Sequence, residues 1–231
     1  MIESHVDITT VAIPAGTFRM GDAQGASNEQ PVHEVYVSVF EMAVLPVTNR
    51  QYAAFLMALD YEAPKFWREA RFTAPKQPVV GVSWFDAAAY CQWLRDRTGL
   101  RWRLPTEAER EKAARGGVEG LRYPCGDAAG AEGGHVAQEA PHDVGRCGPN
   151  GYGLFDMACN VHEWCDDWYA ADYYQRLPST DPQGPPSGTR RASRGGAWRH
   201  QIKVSRNAAR SSLDPTFRYN DYGFRLVCTV R

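Results

Sequence analysis

Residues 150–164 read Asn-Gly-Tyr-Gly-Leu-Phe-Asp-Met-Ala-Cys-Asn-Val-His-Glu-Trp, and they lie in the half of the chain that lacks helical periodicity. From Gly116 onward the sequence is rich in glycine, proline, asparagine, aspartate and aromatic residues. Residues of these types favour turns and loops. Short strands are expected only near residues 191–198 and 222–229. The sequence therefore predicts an irregular C-terminal half that aromatic packing holds together.

Three helices are predicted before Gly116, each from a capping box at its N-terminus. In this motif an N-cap hydroxyl and a side chain three residues later each accept a hydrogen bond from the other residue's backbone N–H. The pairs are Thr48 with Gln51, Ser83 with Asp86, and Thr106 with Glu109. Gly99 and Gly116 are the expected ends of the second and third helices.

The first 46 residues are predicted to form strands and turns. Residues 11–13 and 17–21 are short candidate strands, and residues 32–40 alternate polar and apolar side chains over nine positions, which predicts one longer strand. The chain shows no clear linker, repeat or low-complexity tract. We therefore predict residues 1–10 as an N-terminal extension and residues 11–229 as a single α+β domain.

Composition excludes several classes of protein. The chain has 231 residues, with 26 basic and 27 acidic side chains and a formal net charge of -1. A chain without a net positive charge does not attract a polyanion over long distances, so nucleic-acid binding is not expected. The sequence has neither an apolar run that could span a membrane nor a recognisable secretory signal. We therefore expect a cytoplasmic protein that does not enter a membrane, with its six cysteines reduced.

Nine short sequence motifs give the chain its strongest resemblance to known proteins. They occupy residues 13–21, 31–35, 46–52, 78–84, 103–109, 150–157, 160–164, 194–198 and 223–225. In this order they resemble the formylglycine-generating enzyme family, also called the sulfatase-modifying factor family, over residues 11–228. The resemblance implies a C-type-lectin-like α+β fold with few short helices and strands. It implies no single activity, because the family includes sulfatase-modifying oxidases, iron-dependent oxygenases and binding domains.

A structural calcium site is implied at the segment quoted first. Asp156 and Glu163 are seven residues apart, and carboxylates together with turn carbonyls are the ligands that Ca²⁺ prefers. In the family that this chain resembles, a calcium ion lies here. Carried over by position, the ligands are the side chains of Asp156 and Glu163 and the backbone carbonyls of Cys159 and Val161. The alternative is a loop whose acidic side chains cap backbone groups.

This sequence lacks the catalytic cysteine pair of the family that it resembles. Residues 195–210 contain no cysteine; the first cysteine position falls on His200 and the second falls near Ser205. A pair of thiolates can hold Cu(I) for reaction with dioxygen. Without that pair the copper-thiolate mechanism is not available, so authentic sulfatase activation is not expected.

His162 and His200 are the candidate catalytic residues, since both fall near the cleft of the resembling family. Two imidazoles and a carboxylate form a triad that binds non-haem iron, and imidazole also suits copper. Asp166, Asp167 and Asp221 are the candidate acids, and the sequence does not choose among them. The alternative is that His162 packs as an aromatic ring and His200 lies on the surface.

Four soft ligands also cluster in the sequence. Cys147, Cys159, His162 and Cys165 have a spacing that loosely resembles a structural zinc site. The alternative is that these cysteines are structural thiols.

Basic residues concentrate between positions 190 and 225. Guanidinium and ammonium groups bind carboxylates and phosphates. The candidate substrate-binding residues are Trp198, Arg199, Lys203 and Arg206. Arg194 and Arg225 lie in motifs shared with the family. These two residues and Arg210, which is also matched to the family, are expected to be structural.

Two functions remain open from the sequence. One is a metal-dependent oxidase or oxygenase, with iron or copper, acting on a peptide or small metabolite; histidines at two cleft positions favour it. The other is a non-catalytic module that binds a ligand or a protein on the same calcium-stabilised scaffold. The loss of the cysteine pair favours this second function.

Overall fold

The computed structural model describes residues 7–124, 126, 138–176 and 178–229, which form three α-helices and ten short strands. The helices are α1 (Asn49–Leu59), α2 (Trp84–Thr98) and α3 (Glu107–Arg115). The strands are β1 (Thr10–Ile13), β2 (Gly16–Met20), β3 (His33–Val37), β4 (Phe40–Ala43), β5 (Trp102–Arg103), β6 (His162–Trp168), β7 (Arg191–Arg194), β8 (Ser211–Leu213), β9 (Tyr222–Gly223) and β10 (Val227–Cys228).

All three predicted capping boxes are present. Thr48, Ser83 and Thr106 each accept a hydrogen bond from the N3 backbone N–H, and the N3 side chain accepts one from the N-cap backbone N–H. Gly99 and Gly116 end α2 and α3 in the left-handed conformation, with φ of 68° and 62°. Local sequence therefore determines where these helices begin and where α2 and α3 end.

The strands form three small sheets. Their orders are β1-β4-β10-β5, β2-β3 and β8-β7-β6-β9. The third sheet includes a parallel pair, in which His162 of β6 lies opposite Tyr222 of β9. This small, mixed set of sheets with three helices confirms the predicted α+β class.

The single strand predicted over residues 32–40 is wrong, because the structure divides it into β3 and β4. β3 pairs with β2, whereas β4 lies between β1 and β10. The break falls at Ser38, whose backbone N–H and hydroxyl both donate to the carboxylate of Asp181 at 2.7 Å. A distant side chain therefore takes the hydrogen bonds that a continuous strand would have used.

Aromatic packing forms the larger core, as the composition suggests. Tyr52 and Tyr90 stack with ring centroids 5.5 Å apart, and Phe55 and Phe224 pack edge-on against them. These side chains are at most 1% exposed. Each buried aromatic side chain of this size contributes roughly 1.5–3 kcal/mol of hydrophobic stabilisation.

Buried ion pairs hold α3 against the third sheet. Glu107 pairs with Arg210 at 2.7 Å, and Glu111 pairs with Arg194 at 2.7 Å. None of these side chains is more than 3% exposed. Arg194 and Arg210 are therefore structural, as expected.

No helix in the described part of the chain is both long enough and apolar enough to cross a membrane.

Candidate metal centre

The candidate site begins at the parallel edge of the third sheet. The backbone N–H of His162, the first residue of β6, donates to the carbonyl of Asp221 at 2.8 Å. Asp221 precedes β9, whose Tyr222 lies opposite His162. The pairing of two short strands that are 60 residues apart thus places an imidazole and a carboxylate side by side.

A turn after β7 brings His200 to the same place. The backbone N–H of Trp198 donates to the carbonyl of Asn160 at 2.9 Å, and that of His200 donates to the carbonyl of Ala197 at 2.9 Å. Gly196 allows this turn to pack closely, because a Cβ there would lie 1.8 Å from the hydroxyl oxygen of Ser205. The shape of the turn therefore depends on a residue without a side chain.

His162, His200 and Asp221 form one cluster. Nε2 of His162 lies 2.9 Å from Nδ1 of His200, and Nε2 of His200 lies 3.3 Å from Oδ2 of Asp221. One ligand atom from each residue lies within 4.8 Å of the others. His162 is 4% exposed and Asp221 1%, whereas the His200 side chain is 32% exposed. The cluster therefore has a buried inner side and an outer side that a ligand can reach.

The electrostatics of the cluster favour a neutral His162. Burial, and secondly the neighbouring His200, lower the pKa of His162 to about 3. A neutral imidazole has a free lone pair, as metal ligation requires. Oδ1 of Asp221 is buried and has no hydrogen-bond partner among the described residues. The donor set of two imidazoles and one carboxylate thus fits iron or copper.

Of the three candidate acids, only Asp221 joins the histidines. Asp167 accepts a hydrogen bond from the backbone N–H of Glu107 at 2.8 Å, so its carboxylate caps α3. Asp166 lies on β6, with its backbone N–H bonded to the carbonyl of Pro105. Burial raises the pKa of both carboxyls.

The predicted substrate-binding residues have different surroundings. Arg199 is 42% exposed and its Nε donates to Asp221 at 3.0 Å, so it borders the cluster. Trp198 is half-buried, and its indole N–H donates to the carbonyl of Asn220 at 3.1 Å. Lys203 is exposed on a short 3₁₀ turn. These three residues can present cations and an aromatic surface beside His200.

Arg206 is occupied elsewhere in the fold. Its guanidinium donates to both carboxylate oxygens of Glu29, at 2.6 and 2.7 Å, and to Asp22 at 3.1 Å. Only 11% of its side chain is exposed. The structure therefore gives Arg206 the role of holding the N-terminal loop, and we do not retain it as a substrate ligand.

In this structure, the carboxylates predicted to bind calcium have partners within the chain. The Glu163 carboxylate is buried between two guanidiniums, with Arg110 at 2.7 Å and Arg225 at 3.0 Å. The Asp156 carboxylate instead accepts from the backbone N–H groups of Gly145 and Cys147, at 2.5 and 2.9 Å. Two fixed cations already compensate Glu163, so a divalent ion bound to that carboxylate would be repelled.

The backbone carbonyls predicted to bind calcium lie in the same segment. Positive φ angles occur at Asp156 (58°) and Asn160 (70°), and Cys159 is not among the described residues with positive φ. The carbonyl of Cys159 accepts from the backbone N–H of Val161 at 2.9 Å.

The expectation of six reduced cysteines is wrong for one pair in this structure. Cys147 and Cys159 form a disulfide, whereas Cys91, Cys165 and Cys228 are free and buried. Cys125 lies outside the described residues. Burial raises the pKa of the Cys165 thiol well above its usual value. The set of Cys147, Cys159, His162 and Cys165 is not assembled as a zinc site, because His162 belongs to the cluster with His200.

Sequence reasoning missed two residues in this region. Arg110 reaches Glu163 from α3, and His142 lies 3.6 Å from the sulfur of Cys147. Neither residue belongs to a sequence motif that indicates a functional site. The only available signals were an arginine on a face of α3 that is otherwise buried and a histidine five residues before a cysteine.

One cavity in the described structure lies away from the histidine cluster. It has a volume of about 580 Å³, and Arg19, Lys112 and Arg115 are among its lining residues. None of His162, His200 and Asp221 lines it. This cavity is therefore not part of the histidine cluster.

Comparisons with known proteins agree with this fold. A sequence model of the sulfatase-modifying factor enzyme 1-like domain matches residues 4–230. The formylglycine-generating enzyme of Thermomonospora curvata is 36% identical over 283 residues, covering 93% of this chain and 91% of that protein. The structure of PvdO from Pseudomonas aeruginosa has a TM-score of 0.84 and 28% identity, covering 98% of this chain and 96% of that one.

A further relative is much longer than this chain. The serine/threonine-protein kinase pkn1 of Chlamydia pneumoniae is 38% identical over 239 residues and covers 95% of this chain. The chain spans 38% of the length of that protein.

The fold and the matches define an α+β protein of the C-type-lectin-like class. The chain belongs to the formylglycine-generating enzyme family, also called the sulfatase-modifying factor family.

Proposed function

We propose that this protein is a metal-dependent oxidoreductase that acts on a peptide or small metabolite through His162, His200 and Asp221. The observation that carries the proposal is that one ligand atom from each of these three side chains lies within 4.8 Å of the others. Two histidines and one carboxylate are the donor set of non-haem iron oxygenases, and imidazole also binds copper. Iron or copper bound here would supply the activation of dioxygen.

The chain's own residues would bind and orient the substrate. His162 and Asp221 form the buried side of the cluster, while His200 is open to solvent. Arg199 and the exposed Lys203 place positive charge beside that opening, which suits a carboxylate or another anionic group. Trp198 packs against Phe72, with ring centroids 6.2 Å apart, and supplies an apolar wall.

The activity differs from sulfatase activation by copper thiolates. That mechanism needs two cysteines in the segment after β7, where this chain has His200 and Ser205. Ser205 is 1% exposed and lies against Gly196. The proposal therefore rests on imidazole ligands and on a substrate other than a sulfatase cysteine.

The direct test is metal binding by conservative variants. The protein is loaded anaerobically with Fe(II), or with copper, without a thiol reductant, so that Cys147–Cys159 stays bridged. After gel filtration, about one metal ion per chain is expected in the wild type. His162→Phe keeps a ring against Tyr222, whose centroid lies 5.1 Å away, but removes the nitrogen ligands. It should therefore lose the metal while remaining folded.

A matched control uses another histidine that packs on an aromatic ring. His33 lies edge-on to Tyr174 with centroids 4.7 Å apart, so His33→Phe should bind metal like the wild type. Equal metal content in His162→Phe and the wild type would overturn the proposal. A wild type that binds neither iron nor copper would overturn it too. Oxygen uptake by the loaded protein with candidate peptides and metabolites then identifies the substrate.

A binding module is the second candidate function, and one observation favours it. His162, His200, Asp221 and Arg199 contact one another through hydrogen bonds and an ion pair, and these contacts form without a metal. The exposed side chains of Arg199 and Lys203 would then form a recognition surface. This function predicts ligand binding that Arg199→Ala weakens, with no oxygen uptake in the presence of iron or copper.

A further inference from the structure

A second cluster of metal-ligating side chains lies next to the start of β6. Nε2 of His142, the sulfurs of Cys147 and Cys159 and a carboxylate oxygen of Asp156 all lie within 4.8 Å of one another. The cluster shares no residue with the site at His162 and His200. Asp156 is 1% exposed, Cys159 4% and His142 9%, whereas Cys147 is only half-buried. An ion could therefore enter past Cys147 and be enclosed by the other three side chains.

Three of the distances in this cluster are close to the edges of a tetrahedron around zinc. Nε2 of His142 lies 3.6 Å from the sulfur of Cys147 and 3.8 Å from that of Cys159. Oδ1 of Asp156 lies 3.7 Å from the sulfur of Cys159. Zinc bonds of about 2.3 Å to sulfur and about 2.0 Å to nitrogen or oxygen give tetrahedral edges of roughly 3.5 Å between sulfur and nitrogen or oxygen, and roughly 3.8 Å between two sulfurs. The two sulfurs, joined as a disulfide, are too close for a common ion.

His142 is oriented as a metal ligand. Its Nδ1 lies 2.9 Å from the carbonyl of Asp143, and this acceptor places the ring proton on Nδ1. Nε2 therefore directs its lone pair towards the sulfurs, as metal-bound histidines do when the other nitrogen donates to a carbonyl. The backbone of His142 also exchanges two hydrogen bonds with the Asn160 side chain, at 3.0 and 3.1 Å. The imidazole is thus held by the loop that carries Asp156 and Cys159.

We propose that His142, Cys147, Asp156 and Cys159 bind one zinc ion when the disulfide is reduced. Reduction by a phosphine in water breaks the S–S bond and gives two thiols; the phosphine loses two electrons and takes up the oxygen of water as phosphine oxide. Zinc then displaces one proton from each thiol, and both sulfurs bind it as thiolates. Two thiolates, one imidazole and one carboxylate form a closed tetrahedral set of the structural kind.

The backbone spacing at the disulfide is wide. The Cα atoms of Cys147 and Cys159 are 6.8 Å apart, the wide end of the range for disulfides. The same two loops are cross-linked by a covalent bond or by a metal ion.

The test compares zinc binding by oxidised and reduced protein. Full-length protein is reduced with tris(2-carboxyethyl)phosphine, incubated with Zn²⁺ and desalted, and its zinc content is measured. Reduction is expected to add one zinc ion per chain to the zinc content of the oxidised protein. Co²⁺ in place of zinc should give sulfur-to-cobalt charge-transfer absorption only after reduction. No gain of zinc on reduction, together with no such absorption in reduced wild-type protein, would overturn the proposal without recourse to any variant.

Variants assign the ligands. Cys159→Ser and His142→Gln should each weaken zinc binding by at least 100-fold, as removal of a ligand from a closed site does. Cys228→Ser and Cys125→Ser remove other cysteines and should bind zinc like the wild type. His162→Phe should also retain zinc, which separates this site from the proposed redox centre. Zinc retained by Cys159→Ser, or lost from Cys228→Ser, would contradict the assignment.

Discussion

The guanidinium of Arg110 lies 2.7 Å from the carboxylate of Glu163, and both side chains are at most 1% exposed. Arg225 reaches the same carboxylate at 3.0 Å and also donates to the carbonyls of Ala43 and Phe155. The guanidiniums of Arg110 and Arg225 therefore compensate the buried negative charge of Glu163. Much of the stability of the region around β6 should therefore depend on this cluster.

Glu163→Gln should lower the free energy of unfolding by about 3–5 kcal/mol, because it leaves two buried guanidiniums without their carboxylate. Arg110→Met should cost less, since Arg225 still pairs with Glu163. Arg176→Ala is the control: its pair with Asp172 is 64% and 55% exposed, so its loss should cost less than about 1 kcal/mol. Urea unfolding measures all three. An effect of Arg110→Met as large as that of Glu163→Gln would show that charge balance is not the cause.

Arg206 and Lys203 should differ sharply when each is replaced by alanine. Arg206→Ala leaves the Glu29 carboxylate, 3% exposed, without its main partner and should cost about 1–3 kcal/mol of stability. Lys203 is exposed, so Lys203→Ala should change stability by no more than about 0.5 kcal/mol. Thermal unfolding of the two variants decides the matter. Equal stability of both would restore Arg206 as a candidate for ligand binding.

The pH dependence of stability should reveal Asp167. Burial, and secondly the nearby Glu107 carboxylate, raise the pKa of Asp167 well above its usual value. The folded state therefore keeps a proton that the unfolded state loses above about pH 4. The stability that this proton contributes is complete below that pH and is lost as the pH rises towards the folded pKa, by at most about 1.4 kcal/mol per pH unit.

Asp167→Asn has no carboxyl to titrate and keeps an oxygen that accepts from Glu107. It should gain stability relative to the wild type between pH 4 and pH 7. Urea unfolding of both proteins across this range gives the difference in their free energies of unfolding. The contributions of the other carboxylates cancel in this difference. A constant difference at every pH would mean that Asp167 stays ionised in the folded protein.

Reduction of Cys147–Cys159 should destabilise the protein in the absence of metal. The bridge joins residues 12 apart, and closing a loop of this size in the unfolded chain corresponds to about 3 kcal/mol in the chain-entropy treatment. Added Zn²⁺ should restore most of that loss in the wild type. It should restore none in His142→Gln, where the ligand set is incomplete. Thermal unfolding of oxidised, reduced and zinc-loaded samples gives the comparison.

The features that could be predicted from the sequence are the ones that depend on neighbouring residues. The capping boxes at Thr48, Ser83 and Thr106 need only a side chain three residues away, and each is present. The strand over residues 32–40 has an equally regular pattern, yet Asp181 divides it from 143 residues away. Periodicity carries no information about such a distant partner.

The candidate site shows the same limit. Resemblance to the family drew attention to His162 and His200, but the choice of Asp221 over Asp166 and Asp167 depends on the pairing of β6 with β9. Position along the chain predicts the calcium ligands, but it carries no information about Arg110, which approaches Glu163 from another element of the fold.

Strand β10 lies between β4 and β5 in the first sheet, and this order has a consequence for synthesis on the ribosome. In that order β4 and β5 do not pair with each other. They are joined only through β10, which lies near the C-terminal end of the domain. Arg225, from the same late segment, is also required beside Glu163. The first sheet of a nascent chain is therefore incomplete until this segment emerges. Stalled or shortened chains should accordingly be targets for chaperones and proteases.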